Sequence, residues 1–201
     1  ALLFSKALPG PIFSELFDMG YAAYYPMIAA TAVYYFGWYY KEFNRATFII
    51  LSSFFLYYIV FLFVPVAGPT FYYKAIGMQN VAAGIFPNIH DYFNHNQTCL
   101  PSPGYTDGIF YHLVESAKAA GERPTAAFPS SHVGVSTICM LLLWHDRNYK
   151  LLAVLAPFYL LLCCATVYIQ AHYLIDAIVG FITAVILFAI LLRVSRKMIT
   201  E

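Results

Sequence analysis

Read by its apolar and polar positions, the chain alternates long uncharged runs with short polar breaks. No charged side chain interrupts Tyr21 to Tyr40, about the twenty residues a helix needs to cross a bilayer. Lys41, Glu42 and Arg45 follow as a polar turn, and a second run covers 46–66, ended by Pro65 and the Gly68-Pro69 breaker. Three further runs lie at about 131–145, 149–170 and 173–193. Residues 1–20, in which Pro9, Gly10 and Pro11 precede Phe13, Leu16 and Phe17, read as a short amphipathic interfacial segment.

The region 67–129 differs in kind. Asn80, Asn88, Asn94, Asn96, His90, Asp91, His95 and several prolines break the apolar pattern, and 108–121 reads as a helix at the membrane surface. Loops this long and polar are usually functional. The pattern therefore predicts an all-α polytopic membrane protein: about five spanning helices and a long external loop with short interfacial helices. One membrane domain over 1–201 is expected, with 67–129 as its external cap. The chain opens with Ala1 rather than Met, so a sixth span upstream is also expected.

Composition sharpens this picture. Of 201 residues 61% are hydrophobic and 10% charged, with a mean hydropathy of +0.67, which is outside the range of soluble domains. A formal net charge of +1 gives no basis for binding nucleic acid. The tyrosine clusters suit interfacial belts. Four cysteines show neither a disulfide framework nor metal spacing, and His90, Asp91 and His95 lack the spacing of a zinc site, so neither metal nor other cofactor is expected. With alternating spans, Lys41, Arg45, Arg147, Lys150, Arg193, Arg196 and Lys197 fall on one side, which the positive-inside rule makes cytoplasmic. The long loop and the histidines described next share the opposite face.

Two stretches carry the chemistry: Ala127-Phe128-Pro129-Ser130-Ser131-His132 and Tyr168 to Asp176. Ionisable groups at the edge of apolar runs need a partner or a task. His172 and Asp176, four apart, share a helix face, so the carboxylate can orient the ring and leave the other nitrogen free to attack phosphorus. His132 follows a Pro-Ser-Ser cap signal, in the first helical turn, where free backbone N–H groups favour an anion. It is placed to act as a general acid. Ser130 and Ser131 are candidate phosphate donors, and Arg123 can clamp two phosphate oxygens. Lys118 reads as a solvated helix charge, and Lys74, at a span exit, as a snorkelling cation or a phosphate contact.

These residues resemble the type 2 phosphatidic acid phosphatase superfamily, membrane relatives of the vanadium haloperoxidases. Its second motif, P-S-G-H, is similar to Pro129-Ser130-Ser131-His132, and the H-x-x-x-D that ends its third to His172–Asp176. The resemblance implies a metal-independent phosphohistidine mechanism with His172 as nucleophile, Asp176 as its orienter and His132 as leaving-group acid. Where the third motif usually begins Ser-Arg, this chain has Ala165 and Thr166. The first motif is represented by Arg123-Pro124, with Ser116 where lysine would stand. Both departures look more like the inositolphosphorylceramide-synthase branch, to which the stretch Pro69–Lys74 is also similar.

The implied function is a lipid phosphatase or phosphotransferase acting on a membrane phospholipid or lipid phosphate, with phosphate held in the site. The implied location is the extracytoplasmic, periplasmic face of a bacterial inner membrane. A head-group transferase passing the phosphorylated head group to a lipid hydroxyl is the alternative within this chemistry. A proton-coupled transporter, with the histidines as a relay, is the alternative outside it and predicts inverted repeats that the sequence does not display.

Overall fold

The computed structural model describes residues 2–199; the side chain of Lys197, one of the predicted cytoplasmic cations, lies outside the described set. Eleven α-helices make up the described fold: α1 Leu2–Ala7, α2 Pro11–Ala22, α3 Tyr24–Trp38, α4 Phe43–Phe63, α5 Pro69–Ile76, α6 Met78–Ala82, α7 Tyr92–His95, α8 Ile109–Gly121, α9 Ser131–His145, α10 Tyr149–Tyr168 and α11 Leu174–Ile199. No strand occurs among the described residues, only an isolated parallel bridge between Val66 and Ala126.

Three helices are long and apolar enough to span a membrane: Tyr40–Phe63, Tyr149–Tyr168 and Leu174–Arg196, with α9 a shorter apolar helix. Only 28%, 33% and 28% of their most apolar windows is buried against protein, so most of this surface needs a hydrocarbon solvent. The first expected span is divided. Pro26 has no N–H to offer the carbonyl of Ala22, and the helix is interrupted at Ala23 between α2 and α3.

The core packs α9 against α3, α4, α10 and α11. Tyr35, Ile49, Tyr57, Ile138, Leu142, Leu143 and Leu162 are among its fully buried side chains. The segment expected to be interfacial also packs into the bundle. Helix α2 packs on α8 and α10, burying Ser14, Phe17, Asp18 and Tyr21, while Phe13 and Leu16 face outward. The buried face mixes Phe17 and Tyr21 with polar groups, and α8 and the loop before it give partners to Ser14 and Glu15. Ser14 accepts the N–H of Tyr105, and Glu15 accepts those of Phe110 and Tyr111 at the start of α8.

Candidate active site

Three chain segments converge where α9 and α11 begin. Ser130 caps α9, its hydroxyl accepting the Val133 N–H at 3.4 Å. Asp176 does the same for α11, accepting the Tyr173 N–H at 2.8 Å, the acidic half of a capping box. The two starts are tied together by the Ser130 N–H, which donates to the Asp176 carbonyl at 2.9 Å. Gly180 permits this closeness: a Cβ there would stand 2.5 Å from the Ser130 carbonyl oxygen. Gly68 does likewise beside the histidine turn, where a Cβ would meet the Ala171 carbonyl at 2.7 Å.

His172 leaves α10 through a reversal in which Gln170 adopts a left-handed φ of 63° and the His172 N–H reaches Thr166 O at 2.9 Å. Its ring is buried, and Nδ1 lies 2.8 Å from the Ala127 carbonyl oxygen but 3.8 Å from Asp176 Oδ2. The partner that orients the ring is thus the Ala127 carbonyl rather than the carboxylate expected from the sequence. Asp176 has already spent Oδ2 on capping α11. A carbonyl oxygen only accepts, so Nδ1 carries the hydrogen and Nε2 keeps its lone pair. Burial pushes the ring's pKa down to about 4, the Ala127 hydrogen bond opposing the shift, so the ring is neutral at pH 7.

His132 sits 5.8 Å from His172, centroid to centroid. Its ring is held between Tyr21, stacked at 4.7 Å, and Tyr24 at 4.5 Å, and its Nδ1 has no hydrogen-bond partner among the described residues. Both imidazoles open into one cavity of about 520 Å³. Ser131, Lys118, Glu122 and Arg123 also line it, and Tyr25, Pro26, Tyr58 and Phe61 carry its wall between α3 and α4. Tyr25 and Tyr58 both line the cavity and are exposed, so the cavity is open along α3 and α4.

The cations are arranged differently from expectation. Lys118 is buried rather than solvated. Its ammonium donates to Glu115 Oε1 at 2.8 Å, Ser102 Oγ at 3.2 Å and Leu100 O at 3.3 Å. Burial alone would raise Glu115, but Lys118 and Ser102 hold it below the usual carboxylate range. Arg123 remains exposed, with Nη1 donating to Gln97 Oε1 at 3.0 Å. Lys74 does not line the cavity. Helix α5 turns Phe71 and Tyr73 inward and leaves Lys74 exposed. Ser130 is fully buried as a cap and is not part of the lining either. No group of three or more His, Cys, Asp or Glu among the described residues is placed to hold a metal ion.

Tyr21, Glu122 and the Ala127 carbonyl were not among the candidate residues, and Tyr24 was read only as part of an interfacial belt. One signal was present: Ser14, Asp18 and Tyr21 recur at helical spacing, a stripe that faces inward.

An all-helical protein with three membrane-length helices and two histidines facing a common cavity is a membrane-enzyme architecture. The chain matches the PAP2 superfamily over residues 7–190 and belongs to it. That membership carries phosphatase or phosphotransferase chemistry as the general assignment. No curated protein and no solved structure matches the chain.

Proposed function

We propose that this protein is an integral-membrane lipid phosphatase or phosphotransferase that works through a covalent intermediate on His172, at the extracytoplasmic face of a bacterial inner membrane. The observation that carries the reading is the pair of imidazoles 5.8 Å apart at one cavity, with the Nδ1 of His172 tied to a carbonyl. The Nε2 lone pair attacks phosphorus, an N–P bond forms, and the bond to the leaving oxygen breaks. His132 gives that oxygen a proton. Water or a lipid hydroxyl then attacks the phosphorus, returns a proton to His132 and releases Nε2. Ser131 and the free N–H groups at the start of α9 supply donors to the phosphate oxygens, with Arg123 as countercharge. Asp176 supports the site by fixing both helix starts.

The cavity wall between α3 and α4 suits a substrate that arrives from the bilayer with its tail still in hydrocarbon. The Ala165-Thr166 departure resembles the inositolphosphorylceramide-synthase branch, in which the acceptor is a lipid hydroxyl; hydrolysis and transfer share the first half-reaction, and the acceptor separates them. Thr166 is buried and donates to the Cys163 carbonyl.

The test is to incubate the protein with phosphate-labelled phospholipid, with and without diacylglycerol or ceramide. An acid-labile label on the wild-type chain that is absent from H172A is the expected result. Unchanged labelling or turnover in H172A overturns the mechanism, and release of inorganic phosphate whatever the acceptor assigns a phosphatase.

A further inference from the structure

The two histidines of the site are held by different means. His172 has a carbonyl oxygen at Nδ1, whereas Nδ1 of His132 is closed to solvent and has no hydrogen-bond partner among the described residues. Nε2 is therefore the nitrogen with which His132 reaches the cavity. Rotation of an imidazole about its second side-chain torsion is soft, so a ring without a hydrogen bond needs another restraint to keep one nitrogen aimed. A proton donor works only within hydrogen-bond reach of the atom that takes the proton.

Aromatic faces supply that restraint. Tyr21 lies against the His132 ring at 4.7 Å with 25° between the planes, so an imidazole turning about its torsion runs into the tyrosine face. Tyr24 meets the same ring at 4.5 Å and 47°. The two tyrosines belong to separately packed parts of the bundle, on either side of the interruption at Ala23. Tyr21 is buried with Phe17, Val114 and Tyr168, and Tyr24 with Met27 and Cys139 in the main core. The far end of Tyr21 is fixed as well. Its hydroxyl donates to Glu122 Oε1 at 3.4 Å, and Glu122 lies in the field of Lys118, which is itself held by Glu115, Ser102 and the Leu100 carbonyl. The electron-rich face also favours the imidazolium, the form that gives the proton.

We infer that Tyr21 is a positioning residue for His132, its ring face doing for the acid what the Ala127 carbonyl does for His172. This rests on the reading of His132 as the acid that serves His172, and deepens it.

The experiment measures kcat and KM for Y21L and Y21F, as the full chain in proteoliposomes, on two substrates that differ only in leaving group, an alkoxide and p-nitrophenolate. Y21L removes the face and should lower kcat for the alkoxide substrate about tenfold with KM within about twofold. When p-nitrophenolate departs without a proton, the loss in kcat should be less than about twofold. Y21F keeps the face and should stay within about threefold of the wild type on both substrates. Equal losses in Y21L on the two substrates, or a loss in Y21F as large as in Y21L, overturns the assignment. A second measurement needs no variant at position 21. In the wild-type chain with carbon-13-labelled histidines, the His132 ring protons, identified by their loss in H132Q, should lie upfield of those of free histidine because they sit over tyrosine faces. An unshifted resonance overturns the stack. Labelling separates this inference from the reading beneath it. A labelled His172 in the wild type, with equal losses in Y21L, removes Tyr21 and leaves the phosphohistidine standing, whereas no label on the wild-type chain removes both.

Discussion

The two ends of the helix bundle are built on opposite principles. At the end where α3 and α9 finish and α4 begins, charges meet partners. Asp146 Oδ1 takes Arg45 Nη2 at 2.8 Å, its Oδ2 takes the Tyr35 hydroxyl at 2.6 Å, and Glu42 takes Arg45 Nη1 at 3.0 Å. At the end where α9 and α11 begin, beside the paired Lys118 and Glu115, several buried polar atoms have no hydrogen-bond partner among the described residues: His132 Nδ1, Glu122 Oε2, Thr70 Oγ1 and both oxygens of Asp18. Arg45 Nε is the exception at the first end. A satisfied network lowers the energy of the fold and has nothing left to offer a ligand. Unsatisfied groups cost stability, and they persist where a ligand or a reaction uses them. The contrast marks one end as scaffold and the other as site.

The largest effect that would break this division belongs to His132. If it protonates the leaving oxygen, H132A should slow turnover of a substrate with an ordinary alkoxide leaving group by about 10² to 10⁴. With an activated leaving group such as p-nitrophenolate, which departs without a proton, the loss should shrink to less than about tenfold. Equal losses on both substrates would remove His132 from the chemistry and leave it as a packed ring between Tyr21 and Tyr24.

A smaller effect tests the scaffold end. D146A removes one of the two carboxylates that pair with the half-buried Arg45 guanidinium, and the only acceptor recorded for the Tyr35 hydroxyl among the described residues. We expect a loss on the order of 3 kcal/mol, read as a lower melting temperature in detergent. The KM and leaving-group dependence of the folded fraction should not change. A shifted leaving-group dependence would show that the two ends are coupled and that the division is false.

The sequence exposed this architecture unevenly, for physical reasons. The helix starts expected near 131 and 173 and the helix expected over 108–121 were legible because caps and breakers are local. So was the presence of His132 and His172 at one end, since membrane-length runs leave few ways to arrange them. What surrounds the histidines was not legible. The Ala127 carbonyl is a backbone atom with no residue-type signature, and it reaches His172 across 45 positions. Tyr24 looked like an interfacial tyrosine and Tyr21 like the start of a span, because their contacts with His132 depend on the interruption at Ala23. Lys118 looked solvated because most helix lysines are, and its burial follows from Leu100 and Ser102, which the loop before α8 lays over it. Function here is assembled from long-range contacts, whereas helices are announced by short-range ones.

Asp18 carries the smallest predicted effect and the finest test of the contrast, since it lies at the site end yet lines no part of the cavity. It is fully buried on α2, and desolvation, then Glu15 and Glu115, raise its pKa to about 7 against the opposing charge of Lys118. Tyr111 and Tyr168 lie in its electrostatic neighbourhood. Between about pH 4 and pH 7 the folded chain therefore holds a proton there that the unfolded chain has released. Stability contributed by the neutral carboxyl is complete below pH 4, falls as pH rises through 7, and is lost above it. D18N keeps the shape and cannot ionise. It should remove that slope and raise the melting temperature above pH 7 by an amount corresponding to on the order of 2 kcal/mol, with little change at pH 4. If stability and its pH slope are unchanged in D18N, the carboxyl has a partner in the working protein. If instead D18N flattens the pH profile of turnover as well, the proton on Asp18 belongs to the reaction, and the site extends beyond its cavity into the α2–α8 interface.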